Sequence, residues 1–192
     1  APWQLAGEGR PPLVVMTCYG RPNETSQTLD ALVATTDLDA IQMVVVNNSA
    51  TPEMAAVIDP WWADHARSGW GLYHLPENVG CPRALNLALE RHRAPGQAVV
   101  KIDNDVALLT PGWVDYVASL VTGVAAEGLP VAMVGPMYDG ALDGRLMSSA
   151  HWHGRLVHQV RPIIGHAVWH SGAFIDRVGY FDVLDPAHLY GF

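Results

Sequence analysis

The sequence is poor in cysteine, in basic residues and in long apolar runs. Two cysteines among 192 residues, Cys18 and Cys81, cannot build a disulfide framework. A reducing compartment is therefore expected, the cytoplasm, with a peripheral place at the inner membrane face as the alternative. Eleven Lys and Arg stand against nineteen Asp and Glu, for a net charge of −8. That balance argues against nucleic acid as a partner, because phosphate backbones are held by clustered cations. It also means that an anionic ligand needs a metal ion or a few locally placed arginines. No apolar run approaches the length of a membrane span, and the N-terminus has no signal-peptide core. No Gly-x-x-x-x-Gly-Lys-Ser/Thr loop is present, and no Gly-x-Gly-x-x-Gly follows a strand. P-loop and dinucleotide-binding chemistry are therefore not expected.

What is present fits one soluble globular domain. Hydrophobic residues make up 49% of the chain, and the charge is dispersed. The organising stretch is Val99-Val100-Lys101-Ile102-Asp103-Asn104-Asp105. Its β-branched run has the length of a strand buried in a parallel sheet. Side chains alternate along a strand, so Asp103 and Asp105 point to the same side if the extended geometry continues. Open α/β sheets bind ligands beyond the carboxyl ends of their strands. Two hard oxygen donors there suit Mg²⁺ or Mn²⁺, with substrate phosphates completing the shell. The plainer reading is an Asx turn. The rest of the chain decides between them.

Residues 1–12 read as a loose Gly- and Pro-rich lead-in. Leu13 to Cys18 is a first strand, broken by Tyr19-Gly20-Arg21-Pro22. A helix follows from about Thr25, with Leu29, Leu32 and Val33 inward. Ile41 to Val46 is a second strand, running out at Asn47-Asn48-Ser49. Thr51-Pro52 is an N-cap and first helical residue, and Pro60 is expected to end or kink that helix. Trp70 to Leu75 is a third strand, and Pro76 to Gly80 a loop. Pro82 opens a helix that Pro95-Gly96 stops. After the central strand, Thr110-Pro111-Gly112 opens an amphipathic helix with Trp113, Val117, Leu120, Val121 and Val124 on one face. Val131 to Val134 is a fifth strand. This alternation predicts a mostly parallel α/β sheet with helices on both faces. Tyr138 to Ser149 reads as a loop. Arg155 to Val160 and Gly172 to Ile175 read as strands of a small second sheet.

Polar groups gather at four strand ends: Thr17 to Pro22, Asn47 to Ser49, Asn78 to Gly80 with Arg83, and Asp103 to Asp105. In order and spacing these segments resemble the GT-A glycosyltransferases of the large family-2 type. Thr17-x-Tyr19-x-Arg21-Pro22 is similar to that family's opening nucleotide-binding motif. Val44 to Ser49 resembles its second strand, where Asn47 stands in place of an Asp that meets the base. A neutral amide can still hydrogen-bond a base. Glu77 to Asn86 is similar to the Asn-x-Gly-x-x-x-Ala-x-Asn segment, Asp103-Asn104-Asp105 to the Asp-x-Asp, and Pro111-Gly112-Trp113 to the helix start after it. Ser171 to Asp182 resembles the later segment on the acceptor side.

The resemblance implies a GT-A, Rossmann-like domain over residues 1–192. Residues 13–136 form the nucleotide-sugar donor half and 137–192 part of the acceptor half. It implies transfer of a sugar from a nucleoside-diphosphate sugar to the hydroxyl of a glycan or other acceptor, inverting and metal-dependent. Asp105, with Asp103 in support, would hold Mn²⁺ or Mg²⁺, and Asp103 is alternatively a ribose ligand. Thr17, Tyr19, Arg21, Asn47, Asn78, Gly80 and Arg83 would line the nucleotide-sugar, and His170 and Gly172 the acceptor. Leu189-Tyr190-Gly191-Phe192 is similar to the segment before the family's acidic base motif, so the base is expected beyond Phe192. A non-catalytic nucleotide-sugar-binding module is the alternative function. A sugar nucleotidyltransferase is a third, and Tyr19 to Pro22 lacks its Gly- and Arg-rich loop ending in Lys. His151, His153, His158, His166 and His170 offer no His-x-x-x-His pair on a predicted helix and no cysteine pairing, so zinc is poorly supported. Trp61, Trp62, Trp113, Trp152 and Trp169 could stack on sugars, but Trp61 and Trp113 are expected in the core.

Overall fold

The computed structural model describes residues 10–127, 131–135, 146–152, 155–160 and 167–181. The hydrophobic runs form a six-stranded sheet and the amphipathic segments cover it. In chain order the elements are β1 (Leu13–Cys18), α1 (Pro22–Thr35), β2 (Gln42–Asn48), α2 (Pro52–His65), β3 (Gly71–Leu75), α3 (Cys81–His92), β4 (Val99–Asp103) and α4 (Trp113–Ala126). Then come β5 (Met133–Val134), β6 (Leu146–Trp152), β7 (Arg155–Val160), β8 (Ala167–His170) and α5 (Gly172–Val178). The strand order is β3-β2-β1-β4-β8-β5. The first four strands are parallel, with Thr17 level with both Val46 and Asp103.

Alternate residues of each strand feed two cores. Val14, Met16, Met43, Val45, Val100 and Ile102 pack with α1, α2 and α4. Leu13, Val15, Val44, Val46 and Val99 pack with α3 and Ile175 of α5. Trp61 and Trp169 are core residues. Trp113 is half-buried, and its Nε1–H donates to Thr36 Oγ1 at 2.7 Å. No helix among the described residues is long and apolar enough to cross a membrane.

Several expectations need correction. Helix α1 begins at Pro22, three residues before Thr25, because proline suits the first turn, where its missing N–H is not needed. Pro60 does not end α2, which runs on to His65. The buried face of Met54, Ile58 and Trp61 outweighs one lost backbone bond. On α4 the buried residues are Val114, Ala118, Val121 and Val124, so its inner face is rotated from the one expected. Gly172 to Ile175 is helix, with Ser171 Oγ accepting from the Phe174 N–H at 3.2 Å. The partner of β7 is β6, so Leu146 to Ser149 is strand. The remainder of the expected Tyr138 to Ser149 loop lies outside the described residues.

The largest departure is β8, which inserts antiparallel between β4 and β5. Ile102 lies opposite Ala167, and Val99 opposite His170. The strand therefore runs away from the carboxyl end of β4 and delivers Ser171 and Gly172 to the far edge. There Arg93 joins three segments: its guanidinium donates to Gln97 O, to Gly172 O and to Asp176 Oδ1. Asp176 Oδ2 accepts from the Gly96 N–H at 2.8 Å. Those bonds hold the Asp176 carboxyl below its usual range despite partial desolvation.

Candidate functional site

The sequence runs from β1 outward through β2 to β3, then returns to place β4 on the other side of β1. A crevice opens where such an order reverses, outside the carboxyl ends of the strands. The helices that follow parallel strands start at that same edge, so the N-termini of α1, α2 and α3 bring partial positive charge to it.

Thr17 and Asp103 sit level on the adjacent, paired strands β1 and β4. Thr17 is buried, and its hydroxyl lies 3.6 Å from Cys81 Sγ at the start of α3. Burial pushes the Cys81 thiol above its ordinary value, so it is a packing thiol and not a thiolate. Burial does the same to Cys18. Lys101, two residues before Asp103 and on the same sheet face, places Nζ 2.5 Å from Asp103 Oδ1. Asp105 lies just past the strand and pairs with the guanidinium of Arg21 from the β1–α1 turn. Tyr19 is half exposed on the same turn.

Asn104, between the two carboxylates, carries no role in the sequence reading. It is buried, and its Nδ2 donates to Gly20 O at 3.1 Å and Thr25 Oγ1 at 2.7 Å. The Val106 N–H donates to Thr28 Oγ1 at 3.0 Å. Together these bonds tie the end of β4 to the first turns of α1 and so set Arg21 opposite Asp105. The signal for this was thin: an amide in a loop reads as a turn former. Replacing Asn104 by Ala removes its two hydrogen bonds, although the Thr25 hydroxyl keeps its own bond to Arg21 O, at a cost of about 2 to 3 kcal/mol. Thermal unfolding of Asn104→Ala should fall by roughly 4 to 12 °C at this chain length. An unchanged midpoint would remove the positioning role.

The Asn78 loop is built by Asn48, one of the polar residues at the end of β2. Asn48 Nδ2 donates to Asn78 Oδ1, and Asn48 Oδ1 accepts from the Val79 N–H, both at 2.9 Å. Asn78 Oδ1 also accepts from the Gly80 N–H. Gly80 has φ 87°, where a side chain is strained, and caps α3. Arg83 is exposed on the first turn of α3. Asn47 is different: it is fully buried on the α2 side of the sheet, and its Nδ2 lies 3.1 Å from His74 Nδ1. His74 Nε2 lies 3.0 Å from Asp59 Oδ1. As placed, Asn47 offers no surface to a ligand.

The structure does not bring His170 and Gly172 to this rim. Val99 and Asp103 are four strand residues apart, or about 13 Å. His170 is buried at the Val99 end, its ring 6.4 Å from Phe174 and 5.6 Å from Phe181, centroid to centroid. Burial holds its imidazole below the ordinary value of 6.5. The unfolded chain then binds the proton more readily, so this group destabilises the fold as pH falls below about 6.5. Above that pH the imidazole is neutral in both states and the effect vanishes. Urea midpoints at pH 7.5 and 5.5 should differ less in His170→Phe than in the parent chain. Equal differences would discount the residue. Trp152, His151 and His158 lie on β6 and β7, described here by backbone alone, while His153, His166 and residues 182–192 lie outside the described residues.

Residues 13–154 match the profile of the family described as "Glycosyl transferase family 2". The chain belongs to that family. No curated protein matches the sequence at a significant level. Among solved structures it is similar to the mannosyltransferase PcManGT from Pyrobaculum calidifontis, solved in complex with GDP-Man and Mn²⁺. The TM-score is 0.63 at 20% identity, covering 95% of this chain and 51% of that one. It is also similar to S. aureus TarS 1-349 in complex with UDP, with TM-score 0.60, 16% identity and coverage of 90% and 50%. GalNAc-T7 with UDP, GalNAc and Mn²⁺ gives TM-score 0.60 at 11% identity, covering 90% of this chain and 37% of that one. At such identities the likeness establishes the fold, which is GT-A. The chain spans about half the length of the first of these proteins.

Proposed function

We propose that this glycosyl transferase family 2 chain binds a nucleoside-diphosphate sugar at the β1–β4 crevice. The sugar then passes, with inversion, to the hydroxyl of a glycan or other acceptor. The observation that carries the reading is the pair Asp103 and Asp105 at the carboxyl end of β4, facing Thr17 and Arg21 across the point where strand order reverses. Residues 13–136 would form the donor half, and 137–192 would begin the acceptor half.

The donor set suits Mn²⁺ or Mg²⁺. Two carboxylates, each with about a quarter of its side chain exposed, sit beside open solvent at the rim. Among the described residues no group of three or more His, Cys, Asp and Glu could hold a metal. The remaining ligands would therefore be substrate oxygens and water, the usual arrangement for these hard cations. When bound, such a cation would neutralise charge growing on the diphosphate as the glycosidic bond breaks.

The chain's own residues do the rest. Asp103, already held by Lys101, is suited to accept from ribose hydroxyls and to support Asp105. Arg21 and Arg83 bring guanidinium groups toward the phosphates, whose geometry they match. The α3 N-terminus behind Asn78 and Gly80 adds backbone N–H groups to the same anion. Tyr19 offers a ring face to the nucleoside. A general base must take the acceptor proton.

Calorimetry with UDP, GDP and dTDP, each with and without Mn²⁺, tests the reading. Binding of at least one, tightened by Mn²⁺, is expected. Absence of binding to all three in both conditions would overturn it. A turnover assay with a nucleotide-sugar and an acceptor would separate a transferase from a binding module.

A further inference from the structure

We propose that Arg21 and the divalent cation compete for Asp105, so that the donor site loads by an exchange of partners. The inference rests on the diphosphate reading above. Both carboxylates at the rim already face a cation of their own chain, Lys101 at Asp103 and Arg21 at Asp105.

The two pairs differ in kind. The Lys101 side chain is only 10% exposed and springs from the same strand as Asp103. Pulling it away would leave a buried ammonium, so this pair is built in. The Arg21 side chain is 62% exposed. An exposed pair of this type is weak and gives way to a stronger ligand.

The backbone of Arg21, by contrast, is held firmly. It adopts φ 55° and ψ 57° at the N-cap of α1, a left-handed conformation uncommon for a residue with a side chain. Its carbonyl accepts from both the N–H and the hydroxyl of Thr25, and Asn104 anchors the adjacent Gly20 carbonyl. A fixed Cα with a solvated guanidinium is a pivot. One position of the arm lies on Asp105 Oδ2.

A divalent cation held at this rim would draw on the same carboxylate, and a guanidinium beside it would repel it. A diphosphate arriving with the cation resolves the conflict, because it gives Arg21 new oxygens to bind bidentately. Bare cation should therefore bind poorly, and cation and nucleoside diphosphate should bind cooperatively. The coupling must be equal in both directions.

The test uses two variants of the chain. Arg21→Gly removes the arm and relaxes the left-handed backbone, so folding is protected. Arg21→Lys keeps a competing charge. Mn²⁺ alone is titrated and followed by its electron paramagnetic resonance signal; UDP and GDP are then titrated by calorimetry at saturating Mn²⁺. Arg21→Gly should bind bare Mn²⁺ about fivefold tighter, the scale of an exposed ion pair, and the Mn²⁺–diphosphate pair about tenfold weaker. Arg21→Lys should stay near the parent chain for bare Mn²⁺. Bare Mn²⁺ affinity that is unchanged or weakened in Arg21→Gly would overturn the exchange. If the parent chain binds no nucleoside diphosphate with Mn²⁺, the donor-site reading itself falls.

Discussion

Asp105→Asn should abolish the gain in nucleoside-diphosphate affinity that Mn²⁺ confers, a loss of about 100-fold or more. Losing the cation removes a Lewis acid worth several kcal/mol of charge stabilisation at the diphosphate, and each 1.4 kcal/mol is about tenfold. Asn keeps the shape and one oxygen but removes the charge that matches the cation. Asp105 is the better target of the two carboxylates. Changing Asp103 would strip Lys101 of a partner in a buried setting, and lost binding would then be mixed with lost stability. The partner of Asp105 is exposed, so Asp105→Asn should leave the thermal midpoint nearly unchanged. Calorimetry with UDP and GDP, with and without Mn²⁺, checks it. A variant that retains the full Mn²⁺ enhancement would remove the cation from these carboxylates.

Gly172→Ala should be strongly destabilising, with no effect on nucleotide affinity where the variant stays folded. A Cβ there would lie 1.8 Å from the Gly96 carbonyl oxygen and 2.3 Å from its carbon. These are backbone atoms that cannot rotate away. Overpacking of this kind costs typically 1 to 3 kcal/mol and sometimes more; we expect about 3. The displacement would also strain the Arg93 bonds to Gly172 O and Asp176. At this chain length the midpoint should fall by roughly 6 to 12 °C. The result discriminates between two roles for Gly172. An acceptor-lining residue would alter affinity for acceptor and leave stability alone. A close-packing residue at the far edge would do the reverse.

Gly172 to Ile175 reads as strand and folds as helix for a clear physical reason. Ala173, Phe174 and Ile175 form a short apolar run, and short runs fit strand and helix periods equally. What made the segment helical was local and tertiary together: the Ser171 hydroxyl caps it, and the Gly96–Gln97 turn leaves room only for a residue without a side chain. Asn47 teaches a related lesson. Its place at a strand end was legible, but Asn47 and Asn48 face opposite sides of the sheet. The partners His74 and Asn78 decide which amide is locked away and which builds the loop beside the crevice. Pro60 sits inside α2 because propensity is a weak prior against a helix face that buries Ile58 and Trp61.

By itself the sequence determined what depends on neighbours in the chain. Periodicity marked the parallel strands and their helices, and the abrupt change from Ile102 to Asp103 marked a strand end at a rim. The order of polar strand ends was enough to point to GT-A. Only the tertiary structure decided what depends on residues far apart in the chain. It set β8 against β4 with opposite polarity, and so took His170 away from the carboxylates. It also made Asn104 the tie between β4 and α1 that brings Arg21 to Asp105, across 84 positions of sequence. Such pairings follow from which hydrogen bonds and packed faces can be satisfied at once, and no local pattern encodes that.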